Sequence, residues 1–225
     1  MSVAEHLAAV RERIARASVA CGRDPSSIRL VAVSKTKAES AIREAYAAGQ
    51  RAFAENYAQE LADKAEALAT LGDIEWHFIG HLQTNKARVA ARWADFVHTI
   101  DSVAVARELG KRAAKERNLP LPVLIEVNVG GEPQKAGVAP SEIEEVMAAV
   151  EGQPALSLRG LMTVPRAGDL HAARKTFETL ALLKNLHGGS ARLPELSMGM
   201  SDDLEVAIAS GATYVRVGTA IFGAR

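Results

Sequence analysis

The feature that most constrains this chain is a regular alternation of short apolar strands with helical segments, repeated until eight strands have been laid down. Strands are expected at 28–34, 53–55, 74–79, 96–100, 123–129, 156–160, 195–197 and 213–217. Helices are expected between them at 38–48, 57–69, 84–91, 103–117, 141–150, 170–186 and 202–209, with a closing turn at 219–222. This alternation favours parallel strands joined by right-handed crossovers. Eight such short strands in 225 residues point to closure into an α/β fold, a (β/α)8 TIM barrel, over an open doubly wound sheet. Residues 3–20 remain as an extra N-terminal helix, with Leu7, Val10, Ile14 and Ala17 near one face. The whole of 1–225 is expected to be one barrel domain. A capping box is expected at Ser141 and Glu144.

Charge and apolar patterning narrow the functional classes. Lys plus Arg and Asp plus Glu each number 27, so there is no basic excess for a nucleic-acid partner. No window approaches the ~18 uninterrupted apolar residues of a membrane span. The first 14 residues carry Glu5, Arg11, Glu12 and Arg13 and no apolar signal core. The single cysteine, Cys21, excludes an internal disulfide and fits a reducing compartment. A cytoplasmic protein is expected. No apolar helix face stands out, so a monomer is expected too.

In a barrel of this kind, ligands sit at the carboxyl ends of the strands. Polar residues gather there: Ser34 and Lys35, Glu55 and Asn56, His77, His98, Glu126, Thr163, Ser197 to Ser201, then Arg216 to Thr219. Strand alternation puts Val31, Val33 and Lys35 on one face, and Tyr214, Arg216 and Gly218 on one face of the last strand. If first and last strands are neighbours, Lys35 and Arg216 meet at one mouth. Burial and a nearby cation both disfavour a protonated amine, which would make the lysine a usable nucleophile. Position alone favours the plainer arrangement, in which Lys35 lies along apolar surface with its ammonium in solvent. Gly199, Ser201, Gly218 and Thr219 offer hydroxyls and backbone N–H groups to a phosphate; the alternative is that Ser201 simply caps a helix. Arg216 suits a pyridine nitrogen, or a salt bridge to Glu55 or Glu126. His77 and His81 lack the spacing of a zinc site, and no metal is expected.

These residues stand in longer segments that together resemble the pyridoxal phosphate homeostasis protein family. The segments run through Ala32 to Lys37, Phe53 to Tyr57, Glu75 to Lys86, Arg159 to Met162, Leu196 to Asp203 and Val215 to Gly223. The resemblance covers nearly the whole chain. It implies the alanine racemase N-terminal barrel, fold-type III among pyridoxal phosphate proteins. It implies that Lys35 forms the internal aldimine with pyridoxal 5'-phosphate and that Arg216 contacts the pyridine nitrogen. Ser201, Gly218 and Thr219 would hold the phosphate, with Met200 beside it. Asn56 would line the ring's pocket, and His77 and Ser197 would be further wall residues. Lys135 matches a lysine implicated in cofactor handling.

Two details depart from the family pattern, Gly80-His81 in place of Gly-Pro and Thr84 in place of Ser. The resemblance implies a carrier that takes part in intracellular vitamin B6 homeostasis without robust turnover, with the cofactor and cofactor-dependent apo-enzymes as partners. Consistent with that, Lys35 is the one proton-transfer group expected to act in the pocket, and efficient two-base racemisation needs a second. The rival expectation is an amino-acid racemase or related enzyme with His77 or Tyr57 as second base. A third is a barrel that binds its ligand without a covalent bond.

Overall fold

The computed structural model describes residues 2–223. Eight parallel strands, in sequence order, close one barrel. They are β1 Arg29–Val33, β2 Ala52–Glu55, β3 Glu75–Phe78, β4 Phe96–Ile100, β5 Leu121–Glu126, β6 Leu156–Met162, β7 Glu195–Ser197 and β8 Tyr214–Val217. The closure that matters is β1 against β8, in register Val31 to Arg216 and Ala32 to Val217. It brings the first and last strands side by side, as the sequence predicts.

The helices are α1 Val3–Ala20, α2 Glu39–Ala47, α3 Ala58–Ala67, α4 Ala87–Trp93, α5 Val103–Glu116, α6 Ile143–Glu151, α7 Leu170–Leu186, α8 Gly189–Arg192, α9 Leu204–Ala209 and α10 Thr219–Phe222. Of these, α8 is not foreseen from sequence. A strand with branched and aromatic residues on both faces has one face for the barrel interior and one for the helices. Val31, Ala54, Phe96, Leu124, Met162 and Tyr214 fill the interior. Ala32, Phe53, Val97, Ile125 and Val217 belong instead to the layer between strands and helices.

The extra helix α1 starts with a reciprocal cap. Glu5 N–H donates to Ser2 Oγ at 3.2 Å, and Ser2 N–H donates to Glu5 Oε2 at 2.7 Å. Its buried stripe of Leu7, Val10 and Ile14 packs on α2, α9 and α10. One expected cap is absent. The turn Pro140–Glu142 precedes α6, and there Glu142 Oε2 accepts the Ala139 N–H at 2.8 Å. Ser141 is exposed, and Glu144 reaches across to His187 and Arg192 instead. Helix α7 also departs from the sequence reading, since Leu182 and Leu186, one turn apart, are both well exposed. Among the described residues no helix is long and apolar enough to cross a membrane.

Candidate functional site

Just past the end of β1 the chain turns sharply, with Thr36 at φ 63°, a left-handed conformation unusual for a β-branched residue. Lys35 sits at this turn and lines a cavity of about 550 Å3 at the carboxyl ends of the strands. Val33, Asn56, Ile79, Met162 and Val164 supply part of the wall; Met200, Ser201, Asp202, Arg216, Gly218 and Thr219 supply the rest. Seven of the nine residues expected at the site therefore converge on one hollow: Lys35, Asn56, Met200, Ser201, Arg216, Gly218 and Thr219. His77 and Ser197 do not line it.

Those two are wholly buried; Ser197 bonds Arg216 directly, and His77 is linked to it only through His98. Arg216 Nη1 donates to Ser197 Oγ at 2.6 Å and Nη2 donates to the Thr163 carbonyl at 3.1 Å. Ser197 Oγ also lies within hydrogen-bond distance of His98 Nδ1, at 2.9 Å. His98 Nε2 lies 2.9 Å from His77 Nδ1, so one ring donates to the other. His77 Nε2 is buried and without a hydrogen-bond partner. The nearest acid there, Glu75 Oε2, is 4.0 Å away.

Burial lowers the pKa of both imidazoles, His98 well below the usual histidine value with the charges of His77 and Arg216 adding to the effect. Both are thus neutral at pH 7. Phe96 and Tyr214 wedge around the pair, with ring centroids 4.7 Å and 5.6 Å from His98. The column forms a rigid floor for one buried cation.

Burial pulls the Arg216 guanidinium down to about 10, against the opposing charges of Glu126 and Asp203. It remains a cation at neutral pH. Its hydrogen bonds go to Ser197 and Thr163, not to Glu55, which pairs with Lys64 at 2.8 Å. Glu126 acts on it through the field alone, and burial, with Asp101 second, raises this carboxyl to about 7.

The opposite wall carries hydroxyls. Thr219 Oγ1 donates to Ser201 Oγ at 3.0 Å, bringing the loop after β7 against the turn after β8. Gly199 makes that loop possible: its φ is +93°, and a Cβ there would lie 2.5 Å from Ala207 Cβ. Arg13 of α1 reaches over to donate to the Ser201 carbonyl at 2.9 Å while pairing with Glu205 at 2.8 Å. Sequence reasoning missed Arg13, since an arginine on an amphipathic helix reads as solvated.

Asn56 closes the wall with its Oδ1 buried and unpartnered. Its backbone is pressed against Gly80, where a Cβ would fall 1.8 Å from the Asn56 carbonyl oxygen. The family's Gly80 is thus required whatever follows it. His81, next in sequence, points elsewhere and meets Asp101 at 2.8 Å, so His77 and His81 do not converge. No group of three or more His, Cys, Asp or Glu suited to a metal occurs among the described residues. Tyr57 is 62% exposed and lies outside the cavity lining. Lys135 lines a smaller adjoining hollow of about 210 Å3 with Glu126 and Asn128, and Val164 is shared by both. Its ammonium pairs with Glu132.

A closed eight-stranded barrel with a lysine after β1 and a buried arginine on β8 defines the alanine-racemase class of barrel, and the alanine racemase N-terminal domain model matches residues 6–225. The pyridoxal phosphate homeostasis protein of Escherichia coli K12 is 47% identical over 99% of this chain and 97% of its own. A solved structure from Bifidobacterium adolescentis is 36% identical, with a TM-score of 0.91 over 98% of this chain and 94% of that one. PipY of Synechococcus elongatus, solved with PLP bound, is 37% identical, with a TM-score of 0.85 over 99% of this chain and all of that one. The chain belongs to the pyridoxal phosphate homeostasis protein family.

Proposed function

We propose that this protein binds pyridoxal 5'-phosphate in the cavity at the carboxyl ends of the strands and serves intracellular vitamin B6 homeostasis. Lys35 would hold the cofactor through its amine, the bound group supplying an aldehyde able to join that amine with loss of one water. The observation that carries this reading is the convergence of an amine, a buried cation and a hydroxyl pair on one hollow. Arg216 would face the ring nitrogen. Its guanidinium stays protonated, so the ring nitrogen stays mostly unprotonated and a poor electron sink. Ser201, Thr219 and the backbone at Gly218 would take the phosphate, with Met200 beside it. The orphaned Asn56 Oδ1 fits a polar substituent of the ring. An unpaired buried acceptor costs about 1–3 kcal/mol, which a ligand hydroxyl would recover.

Carrier behaviour is favoured over turnover by the placement of the candidate bases. His77 has no exposed surface, and Tyr57 does not border the hollow. His77 and Ser197 belong to the proposed site as supports of Arg216 and not as walls. The protein is read as a cytoplasmic monomer formed by the single barrel domain 1–225, handing cofactor to apo-enzymes. Intact-mass analysis after borohydride reduction tests the reading, with the adduct mapped by digestion. One pyridoxyl group at Lys35 and none in Lys35→Ala is expected. An unmodified position 35 at excess ligand refutes it. Racemisation of an amino acid above the Lys35→Ala background would favour the enzyme reading instead.

A further inference from the structure

The residues flanking Lys35 are held by a buried ion cluster that no cofactor contact requires. Lys64 of α3 is almost fully buried, and its ammonium donates three hydrogen bonds: to the Ser34 carbonyl at 2.7 Å, to Glu55 Oε1 at 2.8 Å and to Glu60 Oε1 at 2.8 Å. All three of its protons are thereby used. Ser34 Oγ donates to the same Glu55 oxygen at 2.6 Å. On the other side of Lys35, Glu60 Oε1 accepts the Thr36 N–H at 2.6 Å. One cluster therefore grips the residue before Lys35 through its carbonyl and hydroxyl, and the residue after it through its N–H.

The grip coincides with strain. Thr36 has φ 63°, a conformation that costs a β-branched residue about 1–3 kcal/mol and persists only where the surroundings enforce it. Residues in such conformations gather at ligand clamps. A lysine on an unrestrained loop would lose rotational freedom each time it joined an aldehyde, and prior restraint of its backbone removes part of that loss.

We propose that Glu60 and Lys64 are positioning residues that lock the turn carrying Lys35, so that its amine is aimed into the cavity before the ligand arrives. The proposal rests on the reading of Lys35 as the amine that joins the cofactor's aldehyde. It makes a distinction that a general stabilising role does not: the cluster should matter for ligands that bond to the amine and not for those that merely fill the hollow.

The test compares pyridoxal 5'-phosphate with pyridoxine 5'-phosphate, whose alcohol cannot join an amine, on the parent, Glu60→Ala and Glu60→Gln. Glu60 is partly exposed, and binding of the alcohol itself reports an intact cavity. Glutamine keeps an oxygen for the Thr36 N–H and the Lys64 ammonium. Affinity for the aldehyde should fall about tenfold in Glu60→Ala, the equivalent of one charge-assisted hydrogen bond. It should recover most of that in Glu60→Gln, with the alcohol bound equally by all three. Equal losses for both ligands, or no loss for either, overturn the proposal. A parent that binds both ligands alike and gives no trapped adduct at Lys35 overturns the underlying reading first, and the two failures are told apart by that control.

Discussion

Glu126, at the end of β5, offers a measurable consequence of the way the barrel mouth is built. Burial raises its carboxyl from 4.5 to about 7, with Asp101 at the end of β4 adding to the rise and Arg216 and His81 opposing it. Ionising it in the fold therefore costs about 3 kcal/mol more than in the unfolded chain. Because the folded value is the higher one, the stabilising contribution is complete below pH 4.5 and is lost as pH rises through 7. Glu126→Gln has no such titration, so most other groups cancel when parent and variant are compared at each pH. The difference in unfolding free energy should move by about 2–3 kcal/mol between pH 5 and pH 8, in favour of the variant at the alkaline end. Urea unfolding of the cofactor-free proteins at several pH values in that range measures it. A difference that stays level to within about 0.5 kcal/mol across the range refutes the burial argument.

Three further outcomes follow from distances already given. Gly80→Ala should destabilise the protein by about 3 kcal/mol, because its Cβ would fall 1.8 Å from the Asn56 carbonyl oxygen; an unchanged melting temperature would show that the two loops can part. Ser197→Ala removes the partner of both Arg216 Nη1 and His98 Nδ1, and chemical denaturation should register a loss of at least about 2 kcal/mol. Stability equal to the parent would mean that a water replaces the hydroxyl. The double variant Ser201→Ala with Thr219→Ala should release cofactor about tenfold faster in a dilution experiment, and equal release rates would remove these hydroxyls from the phosphate site.

The barrel was legible because its strands are apolar and its crossovers are periodic. The strand boundaries drift where local signals mislead. β5 begins at Leu121, before the 123 expected, since Pro122 sits early enough in the strand to be tolerated. The site was legible where chemistry and strand end coincide, as at Lys35, Arg216, Ser201 and Thr219. It was not legible in depth. Alternation says that a side chain points into the barrel, and says nothing of its height along the axis. His77 and Ser197 face inward yet lie a layer below the hollow. Arg13, Glu60 and Lys64 escaped for another reason. A long charged side chain on a helix has the same sequence signature whether it ends in water or, as Lys64 does, in a buried cluster.

The depth of those inward residues also bears on why this barrel should hold its ligand instead of transforming it. Racemisation removes a proton from one face of a planar intermediate and returns one to the other, so it needs a group on each side. In the hollow, Lys35 is the amine, and the carboxylate among the lining residues is Asp202, next to Ser201 in the segment proposed for the phosphate. His77 is the side chain with the most suitable ordinary pKa for a base, but its Nδ1 is engaged with His98 Nε2 and it is wholly buried outside the cavity lining. The column that anchors Arg216 therefore also holds His77 outside the hollow. Holding the cofactor and exchanging it are what the remaining groups can do.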